Sequence, residues 1–93
     1  MAQTPMQMAE DGILSTTNTV TNASNINAQL DGSNMNVSNY TIVGAQVTGG
    51  YVCLATLTTS NNWRIRFYEN ANDGTFISKT IASGTVTIWY KKS

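Results

Sequence analysis

Apolar and polar residues alternate along the second half of the chain, from residue 40 to residue 92, and short groups of Gly, Asn and Ser interrupt the alternation. A period of two is typical of strands with one buried face, and Gly, Asn and Ser are typical of the turns between strands. The pattern therefore predicts five strands, at residues 40–47, 51–58, 63–69, 75–81 and 85–91.

The connections between these strands are short. Gly49 and Gly50 form a two-residue hairpin signal, and the remaining links are of similar length. A parallel pair needs a crossover of a dozen or more residues, for which there is no room. We therefore expect residues 33–93 to form a mainly β domain, a small antiparallel five-stranded sandwich or barrel.

The front of the chain is less regular. Residues 1–12 contain Pro5 and show no clear period, so we expect an extended N-terminal arm that either frays or docks on a partner. Residues 13–32 are expected to form a stem that ends at Asp31 and Gly32, where turn residues begin.

Two patterns compete in the stem. Read as heptads, the segment has two core positions. One is occupied by Ile13, Val20 and Asn27, and the other by Thr16, Ala23 and Leu30. Ile13, Val20, Asn27 and Leu30 would then drive self-association through a short coiled coil. Strand spacing through Leu14, Val20, Ile26, Ala28 and Leu30 is the alternative, and the many Thr, Asn and Ser residues are poor helix formers. We expect a short helix packed against other copies or against the β domain.

The alternation also predicts which side chains are buried. On the third and fifth strands, one face is formed by Trp63, Ile65, Phe67, Val86, Ile88 and Tyr90. These six residues are the predicted core, with Cys53, Ala55 and Leu57 of the second strand opposite them.

The opposite face mixes apolar, aromatic and basic side chains: Val52, Leu54, Arg64, Arg66, Tyr68 and Trp89. We expect it to be a subunit interface, because Trp, Tyr and Arg are enriched at interfaces and a block of about 50 residues has a small core of its own. A ligand surface is the second interpretation, with Trp89 and Tyr68 stacking on a sugar ring. A solvated sheet with amphipathic side chains is the third.

Composition narrows the function classes. The 93 residues suffice for one domain, the formal net charge is zero, and only 11% of residues are charged, against roughly 25% in average proteins. This balance gives no attraction to nucleic acid or to an anionic membrane, so we expect neither as a partner. No signal peptide or membrane span is recognisable, which predicts synthesis in the cytoplasm.

Candidate chemistry is sparse. The chain has no histidine, its single Cys53 lies in an apolar run, and no phosphate loop, nucleophile elbow or metal-ligand cluster is present. We therefore expect no enzyme activity, no catalytic residue, no cofactor and no metal.

Residues 62–66, 73–76 and 83–92, following a polar Thr/Asn-rich stem, resemble the small β-structured virion proteins of tailed bacteriophages. These are head-decoration (cement) proteins, head fibres and the tips of short tail fibres. The resemblance implies a homotrimeric structural protein, located in the virion, that attaches to phage capsid or tail proteins and stabilises the particle. The alternative it implies is a tail-fibre tip that binds a receptor or a host-surface glycan.

Overall fold

The computed structural model of the protein describes residues 12–93 together with Thr4 and Gln7. The expected N-terminal arm thus lies almost entirely outside the described residues. Within residues 12–93 the chain forms strands and no helix. In chain order the strands are β1 (Leu14–Ala23), β2 (Asn25–Asn27), β3 (Gln29–Leu30), β4 (Ser33–Asn34), β5 (Tyr40–Val47), β6 (Val52–Leu57), β7 (Trp63–Asn70), β8 (Phe76–Ser78) and β9 (Ile81–Lys92).

These strands form two main sheets and one small hairpin. The first sheet has the order β1-β9-β5, and the second has the order β2-β7-β6, with β8 also paired to β7. The two-residue strands β3 and β4 pair with each other. Every pairing is antiparallel, which confirms the mainly β, antiparallel prediction. The number of strands exceeds the five that were expected.

The predicted helical stem is wrong. The first sheet includes β1, which pairs with β9 from Leu14 opposite Tyr90 to Ala23 opposite Ile81. The next segment, β2, pairs with β7 in the second sheet. Thr and Val favour strands over helices, and the long β9 provides a partner for the whole of β1, so the backbone is satisfied without a helix or a coiled coil. Residues 14–30 are therefore part of the β fold.

The glycine pair Gly49–Gly50 connects two strands that do not pair with each other. Both glycines have positive φ angles, 94° and 74°, and the chain crosses there from β5 in the first sheet to β6 in the second. The hairpin predicted at this position is therefore a connection between sheets. A further difference lies at residues 82–84, where a turn was expected but β9 continues without interruption.

The core lies between the two sheets. Its buried apolar side chains are Val20, Ala28, Met35, Val47, Ile65, Phe67, Ile81, Val86, Ile88 and Tyr90, each at most 5% exposed. Five of the six predicted core residues are in this set, and the sixth, Trp63, is partly buried against it.

The second strand departs from the prediction for the core. Cys53 is half-buried against the core, whereas Ala55 and Leu57 are exposed. The reason is that β6 is the edge strand of the second sheet, so the first sheet does not cover its whole length. Alternation identifies the inner face of a strand but not how far the other sheet extends over it.

Candidate functional site

Among residues 12–93, each sheet has edge strands without a partner strand, and this part of the chain leaves two open sides. On one side β1 of the first sheet lies next to the segment β2–β4, and on the other β5 of the first sheet lies next to β6 of the second. The two sides differ sharply in chemistry. One is polar and the other is apolar.

The polar groove lies between β1 and the segment β2–β4 and has a volume of about 660 Å³. Its walls carry hydroxyl and amide groups, one carboxylate and one apolar side chain. The lining residues are Thr16, Thr17, Asn18, Thr19, Ile26, Asn27, Gln29, Asp31 and Gly32. The groove is held together by Asn18, whose side-chain amide makes two hydrogen bonds to the backbone of Gln29, of 2.8 and 2.9 Å.

The arginine row, Arg64 and Arg66, lies beside this groove on β7, the central strand of the second sheet. The Nε of Arg64 donates a hydrogen bond of 3.3 Å to Oδ1 of Asn27 on β2. The Nε of Arg66 donates one of 3.3 Å to Oγ1 of Thr56 on β6. Each guanidinium is thus anchored by a neutral partner on a neighbouring strand, and both side chains are half-buried.

Five of the six predicted interface or ligand residues lie on one surface. Leu54 is opposite Arg66 and Val52 is opposite Tyr68 in the pairing of β6 with β7. Because Ile65 and Phe67 point to the core, Arg64, Arg66 and Tyr68 point outward, and so do Val52 and Leu54.

Trp89 lies elsewhere. It is on β9, between Ser15 of β1 and Gly44 of β5, and it points away from the core because Ile88 and Tyr90 point into it. Trp89 therefore belongs to the outer face of the first sheet, whereas Tyr68 belongs to the outer face of the second. The two aromatic rings do not form one sugar-stacking platform.

The four residues assigned to the stem also have other roles. Val20 is 1% exposed in the core, and Leu30 packs against the core from β3. Asn27 binds Arg64, and Ile13 is half-buried just before β1. They do not form one side of a helix.

The apolar seam is the opposite open side. It is a crevice of about 200 Å³ between β5 and β6, lined by Ile42, Val43, Gly44, Ala45, Cys53, Leu54 and Ala55. The pairing of β5 with β9 shifts between Ile42 and Gly44, so Val43 is the extra residue of a bulge. Val43 is 47% exposed and Leu54 is 44% exposed. The seam therefore presents large apolar side chains to solvent.

Titratable groups are few. Burial raises the pKa of the Cys53 thiol, which makes it a weak nucleophile near neutral pH. Two hydrogen bonds from Thr75, the side-chain bond being the stronger influence, lower the pKa of Asp73 in the β7–β8 turn. Among the described residues no three His, Cys, Asp or Glu side chains are close enough to hold a metal ion.

No family model, no curated protein and no solved structure matches this chain. The likeness to phage virion proteins therefore rests on the sequence alone.

Within the described part, no helix has the length and apolar character to cross a membrane.

Sequence reasoning missed the polar groove. Asn18, Gln29 and Asp31 were assigned to a stem, yet they come together because β1 and β3 belong to facing parts of the fold. The density of Thr and Asn between residues 16 and 34 was the available signal. This density argues against a helix, but it does not show which strands the segment pairs with, so the groove could not be located from it.

Proposed function

We propose that the protein is a non-enzymatic structural component of a bacteriophage virion that works as a homo-oligomer. In the form that the sequence resemblance implies, it is a homotrimeric capsid-decoration or head-fibre protein that attaches to the particle and stabilises it. The observation that carries this proposal is the exposure of two large apolar side chains at the apolar seam, Val43 at 47% and Leu54 at 44%.

The apolar seam is where another copy would gain most. Val43 and Leu54 lie on two different edge strands, and the sequence of β6 contains no charged residue or proline that would discourage pairing with another strand. Covering such half-exposed side chains is worth roughly 1 kcal/mol each. A contact of this size is weak for one pair of side chains but adds up over a symmetric assembly.

The stabilising role follows from mass action. A protein that binds the assembled shell but not its free subunits favours the shell by its own binding free energy. The role requires no catalytic group, and the partners would be capsid or tail proteins.

Size-exclusion chromatography with light scattering tests the proposal. We expect an oligomer at micromolar concentration and dissociation in the Leu54→Gln variant. Leu14→Gln is the matched control, because Leu14 is also exposed but lies on β1, away from the seam. A wild-type protein that is monomeric at these concentrations would overturn the proposal.

A receptor- or glycan-binding tip is the second candidate function. It is favoured by the polar groove and the arginine row, which provide hydrogen-bonding groups that a purely structural sheet does not need. Two variants separate the candidates: Leu54→Gln dissociates the oligomer if the apolar seam is the interface, and Arg64→Gln lowers glycan affinity with the oligomer intact if the polar groove and the arginine row bind a sugar chain.

A further inference from the structure

We propose that the polar groove and the arginine row together form a binding site for an acidic polysaccharide, an inference that rests on the second candidate function and gives its site and ligand class. Hydroxyl groups of the sugar chain would bind in the groove. Its carboxylate or sulfate groups would bind the guanidinium groups of Arg64 and Arg66.

The two parts of the site are continuous. Asn27 lines the polar groove and also accepts the hydrogen bond from Arg64, so the arginine row begins at one wall of the groove. From there the row leads along β7 to Arg66. A ligand that follows this path meets the hydroxyl and amide groups of the groove and then two positive charges, so a chain with both hydroxyl and acidic groups can use both parts of the site.

The guanidinium groups have binding capacity left over. Each uses its Nε for a neutral oxygen, of Asn27 or Thr56. The described residues form one ion pair, between Lys79 and Glu69 at 3.9 Å, and it includes neither arginine. The terminal nitrogens of both guanidinium groups can therefore bind a carboxylate or sulfate in the bidentate geometry that arginine favours.

The spacing suits a repeating ligand. Arg64 and Arg66 are two positions apart on the same face of a strand, which places their Cα atoms about 7 Å apart. Arg64 is hydrogen-bonded to Asn27 on β2 and Arg66 to Thr56 on β6, so the two side chains extend toward opposite sides of β7. Two anionic groups on one extended ligand can be bound at the same time.

The groove favours a sugar chain over an acidic peptide. A bound peptide gains much of its affinity from apolar side chains in pockets, and Ile26 is the single large apolar residue among the lining residues. Thr16, Asn18 and Gln29 offer hydroxyl and amide groups instead, and the exposed carboxylate of Asp31 can accept hydrogen bonds from two neighbouring sugar hydroxyls.

Isothermal titration calorimetry of the full chain tests the site with four probes: polygalacturonate, dextran sulfate, neutral dextran and polyglutamate. We expect binding of one or both acidic polysaccharides, and the two arms show whether carboxylate or sulfate is preferred. No binding of either overturns the proposal. Equal or tighter binding of polyglutamate also overturns it, since the site would then recognise an acidic peptide.

Variants connect the binding to the named residues. Arg64→Gln and Arg66→Gln should each lower the affinity about 10-fold, the usual effect of losing a hydrogen-bonded ion pair. Lys92→Gln is the matched control, because it removes one exposed positive charge at the end of β9 and should change affinity less than about 2-fold. Equal losses in all three variants would show unspecific charge attraction and overturn the proposal.

Asn27→Asp gives a further check that retains both arginines. The new carboxylate replaces the amide oxygen that Arg64 already contacts, so it should occupy that guanidinium and lower the affinity as Arg64→Gln does. Unchanged affinity would contradict the proposal. Light scattering on the same samples reports the oligomer separately, so failure of sugar binding and failure of self-association are distinguishable.

Discussion

The side-chain amide of Asn18 and the backbone of Gln29 exchange two hydrogen bonds. Nδ2 of Asn18 donates to the carbonyl oxygen of Gln29 over 2.9 Å, and the amide nitrogen of Gln29 donates to Oδ1 of Asn18 over 2.8 Å. The side chain thereby does what a neighbouring strand would do. It fastens the small β3–β4 hairpin to the first sheet, beside the fully buried Ala28 and Met35.

Asn18→Asp should destabilise the protein by about 1–2 kcal/mol, since it removes the donor to Gln29 and places a carboxylate against the carbonyl oxygen. Urea unfolding measures the change. Thr21→Ala on the same strand is the control, because Thr21 is exposed and its change should cost a few tenths of a kcal/mol. If the two variants were equally stable, the hydrogen bonds of Asn18 would contribute nothing measurable.

The two tryptophans should respond differently to replacement by phenylalanine. Nε1 of Trp63 donates to the carbonyl oxygen of Tyr40 over 2.9 Å and so connects the second sheet to the first. Trp63→Phe loses that bond and should be less stable than Trp89→Phe by about 1 kcal/mol. The Trp89→Phe variant is the control, because it makes the same change in side-chain volume on an outer face of the first sheet. Thermal unfolding gives the order of stability of the two variants. If Trp89→Phe were the less stable one, the hydrogen bond of Trp63 would not connect the sheets as proposed.

Two glycines of the first sheet provide another matched pair. A Cβ at Gly84 would lie 3.0 Å from Cβ of Thr48, whose hydroxyl accepts a hydrogen bond of 3.0 Å from the amide of Thr85. We expect Gly84→Ala to cost about 1–2 kcal/mol, because Thr48 must move.

At Gly44 the nearest atom to an added Cβ is Cε3 of Trp89 at 3.9 Å, an ordinary contact. Gly44→Ala should therefore be neutral or slightly stabilising, because alanine is less flexible than glycine in the unfolded chain. Chemical denaturation of both variants checks the contrast. A larger loss at Gly44 than at Gly84 would show that the packing argument is wrong.

The pKa of Asp73 depends on Thr75. The hydroxyl of Thr75 donates a 2.7 Å hydrogen bond to Oδ1 of Asp73, and its backbone amide donates another of 3.1 Å. Both favour the charged carboxylate, so the pKa lies below its usual value. Thr75→Ala should raise it while Thr75→Ser should not, as measured by NMR titration of the carboxyl carbon.

The sign of the stability effect follows from that shift. Since the folded-state pKa of Asp73 is lowered, its contribution is present above the unfolded value of about 3.9 and is lost as the pH falls through the folded pKa. Thr75→Ala should reduce that contribution at neutral pH. An Asp73 titration that is identical in Thr75→Ala and wild type would contradict the role of the hydroxyl.

Cys53 should react slowly with thiol reagents near neutral pH. Burial raises the pKa of its thiol, so a smaller fraction is present as the reactive thiolate than in a free cysteine. Alkylation followed by mass spectrometry gives the rate, and the same reaction in urea is the control. A folded-state rate equal to the rate in urea would show that the thiol is not protected.

Alternation identified the inner residues of the two central strands but not their assignment to sheets. Ile65, Phe67, Val86 and Ile88 are buried as predicted, because a period of two gives one inner face whatever the neighbours are. The predicted outer face failed as one surface because Tyr68 and Trp89 lie on strands of different sheets. The alternation within a strand shows which residues share a face but carries no information about which strands pair with each other.

The stem shows the same limit for local propensity. Val20 fits a heptad and a strand equally well, and the choice depended on whether a partner strand was present. The partner, β9, lies about sixty residues further along the chain, with Gly84 opposite Val20. Whether such distant strands pair is determined only when the whole chain folds, because hydrogen bonds and burial within a segment compete with those it can make to distant strands.

The sequence by itself determined the β class of this protein, the antiparallel direction of its strands and most of its core, because these depend on local alternation and on short connections. The tertiary structure decided that residues 14–30 join the sheets, that the polar groove meets the arginine row at Asn27, and that the apolar seam opens between β5 and β6. Those features require knowing which edges remain unpaired, a property of the assembled sheets and not of any single segment.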